Sequence, residues 1–202
     1  SFAEDLHQDK ESSKPFAWYV EQNISPLWDD QHLEDREDLL WGLLKLYSDR
    51  KTDLQAVLRP ENSQLSPLNM RFSWQLSQAL TASGKCSYGE QADEKADELT
   101  LSFAAQLTND GHWLDAVFVF LHLSSPAART KSIQDHLAHH AGRIGAEDGP
   151  AFTTLIDEFK VPPSWIWDAK ALYMRAVLKD PKREVECLIR AGAFDEAHRT
   201  FY

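Results

Sequence analysis

From Trp113 to Leu123 only Asp115 and His122 are polar. No other run in the chain restricts the fold as much. Taken alone, Val117 to Leu123 fits a buried strand as well as a buried helix, because short apolar runs carry no decisive period. The surroundings favour the helix. Asn109, Asp110 and Gly111 break the chain just before it and offer a cap. Ser125-Pro126 closes it and opens the next helix, since proline fits the first helical position. No second strand-like run exists for it to pair with, and a lone strand is not a stable element. A helix apolar nearly all round needs neighbours on nearly all sides. The run is therefore expected to be the central helix of a stacked helical array. It falls well short of the roughly 20 residues of a membrane span.

The rest of the chain reads the same way. Leu39, Leu40, Leu43, Leu44 and Tyr47 line one helix. Ahead of it, Asp29, Asp30, Glu34, Asp35, Glu37 and Asp38 suit a helix N-terminus, at about 0.3–1 kcal/mol each. Asp53 to Leu58 is a short helix stopped at Pro60, and Pro67 opens another with Leu68, Phe72, Leu76 and Leu80 in register. Glu90 to Leu107 is a long helix with Ala96, Leu99, Phe103 and Leu107 on one side. Pro126 to Ala141 is the next, followed by a glycine-rich turn at Gly142, Gly145 and Gly149 and a short helix through Phe152, Leu155, Ile156 and Phe159. Pro162-Pro163 starts a second strongly apolar helix, to Lys179, with two stripes. One is Trp165, Ile166, Ala169, Tyr173, Ala176 and Val177; the other is Trp167, Ala171, Met174 and Leu178. Asp168, Lys170, Arg175 and Lys179 are its polar members. Asp180-Pro181 begins a helix carrying Val185, Cys187, Leu188 and Ile189. Ala191-Gly192 breaks it, and Ala193 to Tyr202 starts one more.

An internal echo supports stacking. Leu107, Gly111, Trp113, Asp115-Ala116 and Phe120 recur 81 positions later as Leu188, Gly192, Phe194, Glu196-Ala197 and Phe201. A helix ends at glycine, an aromatic re-enters, and a small alanine admits the next helix. The spacing matches no standard repeat and suits an irregular α-solenoid. The expectation is all-α, about ten helices, with residues 1–27 as an N-terminal extension or short helices. Residues 28–202 then form a single array that reads as C-terminally truncated, since the pattern stops without a C-cap.

Charge excludes some functions. A net charge of -11 opposes nucleic-acid binding, which needs clustered Lys and Arg, and docking on anionic lipid. Two cysteines, Cys86 and Cys187, fit a reduced compartment without a disulfide framework. Gly84-Lys85 lacks the context of a phosphate loop. His136 and His140, with His139 beside them, stand at i, i+4 as a two-histidine metal clamp would, but without the glutamate of a zinc-protease helix. A helical metal-binding enzyme using that pair is the rival the histidines allow. The expected reading is no enzyme, no cofactor and no metal.

Four segments carry a family resemblance. Gly111 to Leu123 resembles the matching helix of the nucleoporin ninety-six family. Leu39-Leu40-Trp41-Gly42-Leu43-Leu44 resembles its Leu-Trp-x-Leu-Leu helix. Ser66-Pro67-Leu68-Asn69-Met70-Arg71-Phe72-Ser73-Trp74 resembles its Pro-Leu-x-x-Arg-x-Ser-Trp signature. Val161-Pro162-Pro163-Ser164-Trp165-Ile166-Trp167-Asp168-Ala169-Lys170-Ala171 resembles its Val-Pro-x-x-Trp-Ile-x-x-Ala-Lys-Ala motif. The likeness runs from about Trp28 to the end. It implies an ancestral coatomer element, here the tail and adjoining trunk, in a structural scaffold protein of the nuclear pore complex. The implied role is joining the arms of the Y-shaped outer-ring complex, and so supporting nucleocytoplasmic transport. The implied partners are a propeller-plus-helix nucleoporin and a second coatomer-element nucleoporin. A vesicle-coat-type solenoid adaptor shares the architecture. Arrays expose apolar side chains at an open end, which nominates Trp167, Met174, Phe194, Phe201 and Tyr202 as the protein interface. The acidic run Asp29 to Asp38 is a second candidate, as a steering surface for a basic partner.

Overall fold

The computed structural model describes residues 39–49, 52–62, 69–84 and 91–201. The expected N-terminal extension, the acidic run Asp29 to Asp38, the Gly84-Lys85 junction beyond Gly84, and Tyr202 lie outside the described residues. All regular structure among the described residues is helical: ten α-helices, two 3₁₀ turns and two π turns. The chain divides into two compact units, Ser1–Gly89 and Glu90–Tyr202.

The first unit holds α1 (Leu39–Ser48), α2 (Leu54–Val57), a 3₁₀ turn (Pro60–Asn62) and α3 (Met70–Ala82). Asp53 caps α2 by accepting from the Gln55 amide at 3.1 Å. Asn62 closes its other end, donating to the carbonyls of Ala56 (2.8 Å) and Val57 (3.2 Å). Gly42 is buried where α1 meets α2: a Cβ there would stand 2.9 Å from a Val57 methyl. The helix expected from Pro67 is capped at Asn69, which accepts from the Arg71 amide at 3.0 Å. Its buried side chains are Ser73, Trp74 and Ser77, while Phe72 is exposed. The inward face is thus turned by one residue, about 100°, from the expected Phe72-Leu76-Leu80 stripe.

The second unit holds seven helices: α4 (Ala92–Asn109), α5 (Trp113–Phe120), α6 (Pro126–His140), α7 (Pro150–Thr153), α8 (Pro163–Tyr173), α9 (Pro181–Ala191) and α10 (Phe194–Phe201). A 3₁₀ turn at Ala141–Arg143 follows α6. Helices α7 and α8 run on into the π turns Thr154–Glu158 and Met174–Leu178. The main core joins Trp113 and Val117 of α5, Ile133 and Leu137 of α6, Phe152 and Leu155 from α7 onward, and Ile166 and Ala169 of α8. A second cluster packs Ala171, Cys187, Leu188 and Ala197, joining α8, α9 and α10. Trp167 touches both.

The apolar run is the helix the sequence implies, with two adjustments. It ends at Phe120; residues 121–123 wind into tighter turns, His122 N–H to Val119 O at 3.0 Å and Leu123 N–H to Phe120 O at 3.2 Å. The cause lies outside the run. Arg129 Nη2 donates to the Leu123 carbonyl at 2.8 Å, and Asp97 of α4 holds Ser124 by its amide (2.8 Å) and hydroxyl (2.7 Å). Covering is also incomplete, since Phe118 is exposed. Ser125 caps α6 with Pro126 behind it, as expected.

The 81-residue echo is a structural repeat. Gly111 (φ 88°) and Gly192 (φ 84°) sit in the left-handed region that favours glycine. Beyond each, an amide reaches back five positions, His112 to the Leu107 carbonyl at 2.8 Å and Ala193 to the Leu188 carbonyl at 2.9 Å. Ala116 and Ala197 are both buried, and Ala197 packs with Cys187 and Leu188 of the preceding helix.

Candidate functional site

Helix α8 packs on α6 with one face and on α9 with the other, so the expectation of neighbours on two sides holds. Along the α8–α9 seam opens a cleft of about 330 Å³, walled by Trp167, Lys170, Tyr173 and Met174 of α8 and its continuation, and by Arg183, Glu186, Cys187 and Arg190 of α9. The turn at Ala141, Gly142 and Gly145 forms its floor. A Cβ on Gly142 would stand 2.9 Å from the Tyr173 ring, so the turn approaches α8 as closely as glycine permits.

Lys170, placed by the sequence among the polar members of α8, is buried. Its Nζ donates to the Gly145 carbonyl at 2.7 Å. It also stands 5.0 Å from the centre of the Phe152 ring and 4.7 Å from that of Trp167. Burial holds this ammonium below the usual lysine range, and the neighbouring Cys187 and Glu147 work against that shift. Burial likewise pushes the Cys187 thiol up. Arg190 covers the Trp167 ring, its Cζ 4.6 Å from the ring centre, and its Nη1 pairs with Glu147 at 2.6 Å.

Of the nominated interface residues, Trp167 and Met174 are half-buried and share the wall of this cleft. Phe194 stands apart from its lining and is 65% exposed. Phe201 ends α10, where only the backbone is described, and Tyr202 lies outside the described residues. The other large exposed apolar residues of α8 to α10 and their turns are Leu172, Val177, Leu178 and Ile189. Sequence reading put Val177 and Leu178 in the apolar stripes. The π turn Met174–Leu178 that carries them contributes no buried residue.

The histidine group is packing. His136 is buried and its Nε2 meets the Trp113 carbonyl at 2.8 Å. Its ring lies 5.3 Å from Phe120 and 4.5 Å from His140, and His140 stacks on Trp113 at 5.6 Å. One ring nitrogen of the supposed clamp is therefore spent on a backbone carbonyl. Among the described residues no group of three or more His, Cys, Asp or Glu converges as a metal set, and no helix is long and apolar enough to cross a membrane.

Burial, and then the charge of His139, hold His136 below the usual histidine range; the Trp113 carbonyl opposes this. Burial does the same to His140, helped by His136, Arg143 and His139. Between those lowered values and the ordinary 6.5, the unfolded chain binds more protons than the folded one, so stability falls as pH falls below about 6.5. Thermal melts taken from about pH 7.5 down to about pH 5.5 should move to lower temperature. A His136→Gln variant should show a shallower dependence.

A family model described as nuclear protein 96 matches residues 1–173. The chain belongs to the nuclear protein 96 family. The match takes in residues 1–27, ahead of Trp28, and ends at Tyr173. Nucleoporin NUP145 of Chaetomium thermophilum is 36% identical over 204 residues, covering 100% of this chain and 9% of that protein. Nucleoporin nup189 of Schizosaccharomyces pombe is 34% identical over 176 residues, 80% of this chain and 9% of its own length. The nuclear pore complex protein Nup98-Nup96 of Drosophila melanogaster is 30% identical over 170 residues, covering 82% of this chain and 8% of its own. The chain spans less than a tenth of the length of each of these relatives. This member of a nucleoporin family is a component of the nuclear pore complex of the nuclear envelope.

Proposed function

We propose that the chain is a scaffold segment of the pore's Y-shaped outer-ring complex, joining its arms and performing no chemistry of its own. Its partners in this reading are a propeller-plus-helix nucleoporin and a second coatomer-element nucleoporin. The supporting observation is a set of exposed large apolar side chains on the last three helices and their turns: Leu172, Val177, Leu178, Ile189 and Phe194. Exposed apolar surface of this kind marks protein interfaces. Aromatic anchors such as Phe194 carry a large share of the binding energy when a partner covers them.

The test is light scattering on a size-exclusion column, with the chain alone and with both partners from the same organism. A one-to-one-to-one species is expected. Phe194→Ser should weaken that assembly about tenfold or more. Its melting temperature should stay close to that of the parent chain, because a side chain 65% exposed contributes little to the fold. A monomer that ignores both partners would sink the arm-joining role.

A further inference from the structure

The α8–α9 cleft carries charge that does not fit the rest of the molecule. The chain bears a net charge of -11, yet the cleft wall holds Lys170, Arg183 and Arg190 against Glu186 alone. Arg190 is drawn toward Glu147 and Arg183 toward Asp180 (3.4 Å), both in exposed pairs. Such pairs are weak and exchange readily for a better partner. Lys170 differs from both. It is 8% exposed, and its ammonium has one hydrogen-bond acceptor, the Gly145 carbonyl, plus two ring faces. Among the described residues no carboxylate lies within ion-pair distance of it. An ammonium has three donors, and a buried charge gains most from a paired and hydrogen-bonded counter-ion.

We propose that this cleft receives an acidic segment of a partner protein, with one carboxylate inserted toward Lys170 and flanking carboxylates meeting Arg183 and Arg190. Trp167 and Met174 supply apolar wall for the methylene stems of the entering side chains. The cleft thereby adds a chemical requirement to the arm-joining role proposed above, and its Trp167 and Met174 are two of the side chains that the sequence nominates as interface. Charge complementarity selects the occupant. The acidic surface of the chain repels an acidic peptide at long range, but that repulsion is screened beyond about 8 Å at physiological salt. Binding then depends on the local cations of the cleft.

The probe is a fluorescein-labelled hexaglutamate peptide titrated with the whole chain and read by anisotropy, with a labelled hexaserine peptide alongside. Hexaglutamate is expected to bind, more weakly as salt rises, and hexaserine is not. Arg183→Glu should weaken binding by about tenfold, and Lys170→Met by more. Lys131→Glu makes the same charge change as Arg183→Glu at an exposed position of α6 outside the cleft, and should alter binding less than about twofold. If Lys170→Met does not fold by circular dichroism, Arg183→Glu against Lys131→Glu decides the matter. Absence of hexaglutamate binding, or equal loss in those two variants, overturns the proposal. So does inorganic phosphate displacing the peptide at equal charge concentration, which would make the cleft a site for free anions. If hexaglutamate binds the cleft while the pore partners are ignored, the arm-joining role fails and the acidic-segment site stands.

Discussion

Leu137→Ala is expected to destabilise the second unit by about 2–5 kcal/mol. Leu137 is fully buried on α6, in the cluster that also holds Trp113, Val117, Ile133, Leu155 and Ile166. Four of its helices meet there, so the removed methyls leave a hole that no single helix can close by shifting. A domain of ordinary stability has only about 5–15 kcal/mol in total. Urea unfolding followed by circular dichroism should show a lower midpoint with an unchanged slope. A loss below about 1 kcal/mol would mean that the cluster is loosely packed.

The second large effect falls on one carboxylate. Glu184 of α9 is buried and accepts from Arg175 Nε at 2.6 Å and from the Thr200 hydroxyl at 3.2 Å. It therefore ties the π turn Met174–Leu178 and α10 to the first turns of α9. Glu184→Ala should cost about 2 kcal/mol, near the middle of the range for hydrogen bonds to charged groups. The figure stays modest because Arg175 is 52% exposed and can turn to water or to Glu196, 3.9 Å away. Glu184→Gln should recover part of the loss by keeping the Thr200 bond. Hydrogen exchange should rise first in α10, whose attachment to α9 depends most directly on this residue.

What the sequence disclosed and what it hid follow from the range of the interactions involved. Helix starts at Ser125-Pro126 and Asp180-Pro181 were readable because the capping oxygen and the proline are neighbours in the chain. The stops at Gly111 and Gly192 were readable for a similar reason, since a positive φ selects glycine locally. The stop of the α8 segment at Lys179, before Asp180-Pro181, was readable, but its passage into a π turn was not. Its π turn leads into Lys179, which takes the left-handed conformation (φ 52°) where glycine would be expected. Lys170 was misplaced because its carbonyl partner, Gly145, lies 25 residues upstream. The nominated Trp167 and Met174 do line a cleft. Its positive charge was hidden, because Arg183 and Arg190 join them only once α9 folds against α8. Phe194 was legible as an aromatic in the echo. That Trp113 is buried while Phe194 is exposed depends on α6 and its histidines covering the first repeat.

The repeat also governs how this unit would bear a load. In each hairpin, α4 with α5 and α9 with α10, a helix packs on its immediate successor across a glycine cap. Where contacts run mainly between successive elements, strength adds along the series. Tension applied at the end of α10 would meet Glu184 and the Leu188–Ala197 packing before it reached the Leu137 core. The unit would then yield by peeling one helix at a time, as a stack of small mechanical fuses. The inner helices would stay folded as a template on which the outer ones re-form when the tension is released.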